Sequence, residues 1–211
     1  MTEKARTFGL VLTGVSNEPF SEDAAWLRHH GKPQLYFVFD LLSEICEKVF
    51  IVCDKIQKNR IFSYYPSIVV KKENTLEYLP VVNEFFKQNP GSGLLVTGTC
   101  FPDLTRKELG DFYAAIDPSK PIAIFDPVKV SFQPLIAYYP PESKYDVEKS
   151  IADGIFSASE FLEKIDAIKF ILPSDISIHS FNRNEPLSNS FSMFIPPKNS
   201  GTTTSPGLLR R

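Results

Sequence analysis

Phe8-Gly-Leu-Val-Leu-Thr13 is a short apolar run rich in β-forming residues, and Gly14 ends it. A run of this length and composition is typical of a strand that is buried on both faces. Pro33–Glu47 then places apolar side chains at helical spacing, and Val49-Phe-Ile-Val-Cys53 repeats the buried-strand pattern. The three segments predict one βαβ unit, in which a helix connects two parallel strands.

The alternation of strand and helix patterns continues along the chain. Further strands are predicted at Ser67–Val70, Gly93–Thr97, Pro121–Phe125, Gln133–Tyr139 and Ile168–Leu172. Helices are predicted at Leu76–Lys87, Leu104–Ile116, Asp146–Gly154 and Ala158–Ile165. We therefore expect an α/β fold with three αβα layers around a Rossmann-like, mostly parallel sheet.

The composition narrows the classes of partner. The chain has 211 residues, 43% of them hydrophobic, which is enough to bury the core of one domain. A net charge of -2 leaves no basic excess for binding nucleic-acid phosphates. Its apolar runs are too short to cross a bilayer, and no apolar signal segment follows the polar N-terminus. Three cysteines without a C-x-x-C pair favour a reducing compartment, so we expect a cytoplasmic protein without a nucleic-acid or membrane partner.

The composition changes after Pro186, where Ser, Asn, Thr, Pro and Gly dominate. Such a segment lacks the apolar side chains needed for a packed core. We therefore divide the chain into a domain at residues 1–187 and a flexible Ser/Thr/Pro-rich tail at residues 188–211. Two interpretations of the tail stay open: a frayed terminus, which is the commoner case, and a docking peptide.

The loop after the first strand is the first place to look for chemistry. In an open parallel sheet, ligands bind beyond the carboxyl ends of the strands. The segment from Gly14 to Pro33 is too long for a plain connection between strand and helix, and long loops in compact domains tend to be functional. It is neither a Walker A loop nor a G-x-G-x-x-G dinucleotide motif.

The loop resembles the opening of the molybdenum cofactor guanylyltransferases, a family within the nucleotidyltransferases of sugar-nucleotide and cofactor synthesis. Their L-A-G-G-x-S-x-R-M-G-x-D-K and G-K-P-L-L segments align without a gap on Leu12-Thr-Gly-Val15 to Ala24 and on Gly31-Lys-Pro-Gln-Leu35. Further matches follow in the family's order: Val49–Cys53 with Gln57, Leu94–Leu104, Gln133–Tyr139, Gly154–Leu162 and Asn182-Arg-Asn-Glu-Pro186. The resemblance covers residues 8–187 and implies the nucleotide-diphospho-sugar transferase-like fold.

The resemblance also implies an activity and a site. Family members bind GTP with Mg²⁺ and transfer GMP to molybdopterin, releasing pyrophosphate. Six positions carry over as nucleotide-binding residues: Leu12, Thr13, Gly14, Val15, Asp23 and Lys32. Asn182 and Asn184 match the closing N-x-N-x-P motif, where their amides either contact the substrate or order a loop.

Three charged groups of the family motif are missing from this sequence, although Asp23 and Lys32 are kept. Val15 stands for the second glycine, Pro19 for the arginine and Ala24 for the lysine, and Cys100 replaces the carboxylate that binds magnesium. A thiol is a poor ligand for a hard cation such as Mg²⁺. Since each lost charge weakens transition-state stabilisation, the ancestral transfer is expected to be weak or lost.

Other residues of the same loops offer partial compensation. Arg28, His29, His30 and Lys32 are able to face an anion, and Asp103 follows the lost carboxylate by three residues. The simpler interpretation of such a charged loop is a solvated surface. Trp26 either caps the pocket or fills it, and Cys100 is either a reactive thiol or a small packed residue.

Two functions of different classes follow. The first is a nucleotidyltransferase of molybdenum cofactor (molybdopterin guanine dinucleotide) biosynthesis with weak or altered transfer, using Mg²⁺ and GTP. The second is a catalytically inactive homologue without a cofactor, which binds a pterin or nucleotide or acts through protein contacts. Under either, the expected partners are a nucleotide and a molybdopterin-like small molecule, with a molybdoenzyme or cofactor-biosynthesis protein as a further partner.

Overall fold

The computed structural model describes residues 6–13, 25–69, 78–173 and 192–193. The strands in these ranges are β1 (Thr7–Leu12), β2 (Leu27–Arg28), β3 (Lys48–Cys53), β4 (Ser67–Val69), β5 (Gly93–Gly98), β6 (Ile122–Asp126), β7 (Ser131–Tyr139), β8 (Ile168–Phe170) and β9 (Ser192–Met193). The helices are α1 (Gln34–Ser43), α2 (Lys55–Lys58), α3 (Tyr78–Gln88), α4 (Arg106–Ala114), α5 (Ser143–Ala152) and α6 (Ala158–Lys164).

Seven of the strands form one sheet in the order β4-β3-β1-β5-β7-β6-β8. The pairs of β1 with β3 and β5, of β3 with β4, and of β6 with β8 are parallel. Only β7 runs against its neighbours β5 and β6 in this sheet. The expected α/β, Rossmann-like fold with a mostly parallel sheet is confirmed.

The apolar runs that predicted strands are buried in the centre of the sheet. Every residue of β5 is buried, and β1 is buried from Phe8 onward. Helix α1 packs on β1 and β3, α6 packs on β7, and α3 packs against α5. A continuous core therefore lies between the sheet and its helices, as the β-branched and aromatic composition of the strands requires.

Helix α1 is shorter than the sequence predicted. Periodic apolar side chains continue to Ile45, yet the helix ends at Ser43 and the backbone N–H of Glu47 donates to Thr7 O at 2.9 Å. This turn brings the chain to the start of β3 beside β1. The helical spacing of apolar residues thus extends to Ile45, although the helix ends at Ser43 because the chain turns there to enter β3.

Two residues beyond the predicted domain boundary pair with the long loop. Ser192–Met193 forms an antiparallel ladder with Leu27–Arg28, in which Leu27 faces Met193. The boundary at residue 187 itself lies outside the described residues. In the described ranges, no helix combines the length and apolar character that a membrane crossing requires.

Gly93, with Gly110 as its control, provides a test of the packing at the amino end of β5. A Cβ on Gly93 would lie 2.5–2.9 Å from the ring and hydroxyl of Tyr138, which is buried and hydrogen-bonded to Thr7. We expect Gly93→Ala to lower the free energy of unfolding by about 2 kcal/mol, because the ring has no free volume to enter.

The matched control for this substitution is Gly110→Ala. Gly110 lies in α4, and its added Cβ would meet nothing within 4 Å. Alanine there is expected to raise the free energy of unfolding by about 0.5–1 kcal/mol through helix propensity. Urea titration of both variants checks the pair, and equal effects at the two positions would contradict the packing of Tyr138.

Candidate functional site

The carboxyl ends of three adjacent parallel strands define the candidate site. Leu12, the last residue of β1, pairs with Val52 on β3 and with Gly98 on β5. The backbone N–H of Thr99 then donates to Leu12 O at 3.2 Å, which extends the β1–β5 contact beyond the ladder. The loops that follow the three strands therefore leave the sheet from one edge, where α/β proteins bind ligands.

A buried hydrogen-bond network connects the ends of β1 and β3. Gln57 Nε2 donates to Thr13 O at 3.2 Å, and Gln57 Oε1 accepts from the backbone N–H of Asp54 at 2.9 Å. The Thr13 hydroxyl lies 2.7 Å from Val52 O and 3.1 Å from Gln57 Oε1. All three side chains are almost completely buried, so the network fixes the direction in which the chain leaves β1.

Asp54 has a structural task in this network. It is the N-cap of α2, and its Oδ1 accepts from the backbone N–H of Gln57 at 2.7 Å. Together with the return bond from the Asp54 N–H to the Gln57 side chain, this forms a capping box. The Asp54 carboxylate thus stabilises the start of the short helix α2. A buried carboxylate requires hydrogen-bond donors of this kind.

Cys100, the residue in place of the family's magnesium ligand, is buried. The residue is 1% exposed, and its Sγ lies 3.3 Å from an ideal Cβ on Gly98, which would also lie 3.0 Å from Leu135. The Cys100 thiol therefore packs in the hydrophobic core and is not exposed at the carboxyl edge of the sheet. Cys53 is buried at the end of β3, where burial raises the pKa of its thiol to about 11, so it stays protonated at neutral pH.

The loop after β5 is joined to the loop before α1. His29 Nε2 and Asp103 Oδ1 are 3.5 Å apart, and His30 Nε2 lies 2.7 Å from Pro102 O. Gln34 Nε2 donates to Phe101 O at 3.0 Å. The Asp103 side chain is 60% exposed, so its contact with His29 is at the protein surface.

The cationic side chains of the loop have partners of their own. Lys32 forms an ion pair with Asp40 on α1, and Arg28 donates to Gly31 O at 2.9 Å.

The guanidinium of Arg60 lies 4.2 Å from the ring centre of Trp26. Trp26 is 3% exposed and packs edge-on against Tyr36. Of the two roles considered for this ring, the burial favours filling over capping.

The described residues do not match the ligand set that Mg²⁺ requires. This cation prefers several hard oxygen ligands in octahedral geometry. Cys100 is a buried thiol, Asp54 caps a helix, and Asp103 contacts His29 at the surface. Over the described ranges, no three His, Cys, Asp or Glu side chains converge as a metal-binding group.

Several residues carried over from the family motif lie outside the described ranges. These are Gly14, Val15, Pro19, Asp23, Ala24, Asn182 and Asn184. Leu12, Thr13 and Cys100 do lie together at the edge, whereas Lys32 contacts Asp40 on α1. Gln57 was predicted only as a position that matches the family, and its contact with Thr13 was not predicted. The available signal was the spacing Asp54-x-x-Gln57 directly after a strand, which is a capping-box pattern.

Comparisons with known proteins give one short sequence match. No protein-family model matches the chain. The chain is 39% identical over 44 residues to a molybdenum cofactor biosynthesis bifunctional protein of Synechocystis. The match spans 21% of this chain and 13% of that protein, so most of the relative has no counterpart here.

Solved structures match the chain over most of its length. One is molybdopterin-guanine dinucleotide biosynthesis protein A of Archaeoglobus fulgidus, with a TM-score of 0.54 and 17% identity over 78% of this chain and 83% of that one. Another is the 2-C-methyl-D-erythritol 4-phosphate cytidylyltransferase of Thermus thermophilus, with a TM-score of 0.60 and 9% identity over 83% and 92%. The chain therefore has the nucleotide-diphospho-sugar transferase-like fold that these two proteins share.

Proposed function

We propose that the protein binds a nucleoside triphosphate at the carboxyl edge of β1, β3 and β5, and that it acts in molybdenum cofactor biosynthesis with weak or altered nucleotidyl transfer. GTP is the nucleotide that the sequence resemblance favours. The proposal is supported by the short match to the Synechocystis protein and by the likeness to the Archaeoglobus protein, whose name gives a role in molybdopterin-guanine dinucleotide biosynthesis. A molybdopterin-like molecule is the proposed acceptor.

The observation that carries the proposal is the rigid exit of the chain from β1. The Thr13 carbonyl and hydroxyl are both held by buried partners on the β3 side, and Thr99 holds Leu12 from the β5 side. A fixed position of Thr13 is one requirement of a triphosphate site that begins there, because ordering the chain at the moment of binding costs free energy.

A second candidate function is favoured by the buried thiol at position 100. With Cys100 packed, Asp103 facing His29 and Lys32 paired with Asp40, the described part of the edge lacks a carboxylate placed for a metal. An inactive homologue that binds a pterin or nucleotide, or presents this edge to a cofactor-biosynthesis protein, needs no such group. The two candidates differ in turnover and share the binding site.

Calorimetric titration with GTP and with CTP, each with and without Mg²⁺, tests the proposal. We expect saturable binding of one nucleotide: an affinity that rises with Mg²⁺ would support the transferase, and an affinity that Mg²⁺ does not change would support the inactive homologue. Flat traces for both GTP and CTP would exclude binding of either nucleotide and leave the pterin-binding and protein-contact functions.

A turnover assay separates the two candidates once binding is measured. Pyrophosphate release from the bound nucleotide, in the presence of molybdopterin, is expected for the transferase and absent for the inactive homologue. The control is Tyr145→Ala, at an exposed ring on α5. Its signal should equal that of the unmodified protein, and a drop would indicate loss of folded protein.

A further inference from the structure

The proposed nucleotide site needs positive charge that the family motif does not supply in this chain. The motif's arginine and lysine are Pro19 and Ala24 here. Lys32, which is kept, forms an ion pair with Asp40 on α1. A triphosphate carries several negative charges, and proteins that bind it offset them with arginine, lysine or a metal ion. A cation from another part of the chain is therefore required.

Arg60 carries a charge that no carboxylate of the described ranges pairs with. The hydrogen bonds and ion pairs that arginine side chains form in these ranges belong to Arg6, Arg28 and Arg106. Arg60 is nevertheless half-buried, so its guanidinium does not extend freely into solvent. A half-buried cation of this kind is suited to an anion that comes from outside the chain.

Two aromatic side chains surround the Arg60 guanidinium. It lies 4.2 Å from the ring centre of Trp26, which is 3% exposed and packs edge-on against Tyr36. Burial raises the pKa of the Tyr36 hydroxyl, and the nearby charge of Arg60 acts against this rise. A guanidinium is attracted to an aromatic ring, and the N–H donors in its plane stay available to an anion. The contact with Trp26 therefore orders the cation before a ligand arrives.

Arg60 adjoins the hydrogen-bond network at the ends of β1 and β3. Its backbone N–H donates to Gln57 O at 2.9 Å, and the Gln57 side chain donates to Thr13 O. Arg60 follows α2 in the segment that leaves the carboxyl end of β3. It therefore belongs to the same edge of the sheet as the loop that begins at Thr13.

We propose that Arg60 binds the phosphate chain of the nucleotide in place of the two missing motif cations, an inference that rests on the proposed function. A guanidinium presents paired N–H donors that match two oxygens of one phosphate. Trp26 is the positioning residue, because its ring holds the guanidinium without using those donors. Lysine at this position would keep the charge but lose the paired donors.

Calorimetric titration with GTP, with CTP and with inorganic tripolyphosphate tests the role of Arg60. Arg60→Met removes the charge and keeps an apolar side chain on Trp26, and Arg60→Lys keeps the charge. The matched control is Lys48→Met, because Lys48 Nζ lies 5.6 Å from the ring centre of Phe8 at the opposite end of β3. Thermal unfolding of each variant checks that the protein titrated is folded.

We expect Arg60→Met to weaken binding of the nucleotide and of tripolyphosphate at least about tenfold, because charge-assisted hydrogen bonds are lost. Arg60→Lys should weaken binding less, since a point charge replaces the paired donors. Lys48→Met should leave both affinities unchanged. An equal loss in Lys48→Met would overturn the proposal, because it would show a general effect of net charge.

The remaining outcomes separate this inference from the proposed function. If the unmodified protein binds GTP or CTP and Arg60→Met binds it equally well, the role of Arg60 is overturned and nucleotide binding stands. If tripolyphosphate binds in a way that depends on Arg60 while neither nucleotide binds, the phosphate role is supported and the nucleotide function is overturned. Absence of binding for all three ligands overturns both.

Discussion

Cys100→Asp, which introduces the carboxylate that the molybdenum cofactor guanylyltransferases have at the matching position, is expected to lower the free energy of unfolding by about 4 kcal/mol at about pH 8 without creating a magnesium site. The thiol it replaces is 1% exposed and packs beside Gly98 and Leu135. A carboxylate at this position loses its hydration, and the loop cations Lys32 and Arg28 already contact Asp40 and Gly31 O. Urea unfolding with and without Mg²⁺ measures both effects.

The pH dependence of this variant has a definite sign. Burial raises the pKa of the introduced carboxyl in the folded protein above its unfolded value of about 3.9. Stability is therefore retained below the unfolded pKa and is lost as the pH rises through the folded pKa. The deficit relative to Cys100→Ser, the uncharged control, should be small near about pH 4 and largest near about pH 8. Stabilisation of the aspartate variant by Mg²⁺ at about pH 8 would show instead that the edge can assemble a metal site.

The fold was predictable because short apolar, β-forming runs in the sequence are enough to identify its central strands. Val49–Cys53 and Gly93–Thr97 are apolar β-forming runs of a length that suits buried parallel strands, and both lie in the sheet with ends within one residue of those predicted. Helix α2 escaped prediction because four residues are too few to show a period. Strand β9 has no local signal at all, since it is defined by its pairing with a loop far away in sequence.

The candidate site was predictable as a place but not as a set of contacts. The rule that parallel strands end at one edge predicts that the loops after Thr13, Cys53 and Thr97 lie together, and the sheet order confirms it. The sequence did not indicate that Lys32 pairs with Asp40 or that Asp103 contacts His29. Both pairs depend on how the loop before α1 lies over the end of β5. Tertiary packing sets the position of this loop, and the spacing of residues in the sequence does not reveal it.

Gln57→Leu is expected to lower the free energy of unfolding by about 3 kcal/mol and to weaken nucleotide binding at least about tenfold. Leucine fills the space of the buried amide but leaves Thr13 O and the Asp54 N–H without their partners. Each orphaned buried group costs about 1–3 kcal/mol. Thr13 begins the loop of the candidate site, so its released carbonyl allows the loop to start in several directions.

A second variant separates loss of stability from loss of loop position. Gly93→Ala strains the opposite end of β5 and is destabilised by a comparable amount. If Gln57 acts by positioning the loop, Gly93→Ala keeps the nucleotide affinity of the unmodified protein in calorimetry while Gln57→Leu loses it. Equal losses in the two variants would reduce Gln57 to an ordinary core residue.

Gln57→Glu distinguishes a role in positioning the loop from a role in stability alone, because only the first predicts that nucleotide affinity changes with pH. The new carboxylate still accepts from the Asp54 N–H, but its second oxygen faces Thr13 O, where an amide donor had been. Burial next to a carbonyl raises the pKa of this carboxyl, and the protonated form regains a donor for Thr13 O. Nucleotide affinity of Gln57→Glu should therefore recover as the pH falls from about 8 to about 5, while that of Gln57→Leu stays low across the same range, because only a proton donor at this position restores the exit of the chain from β1.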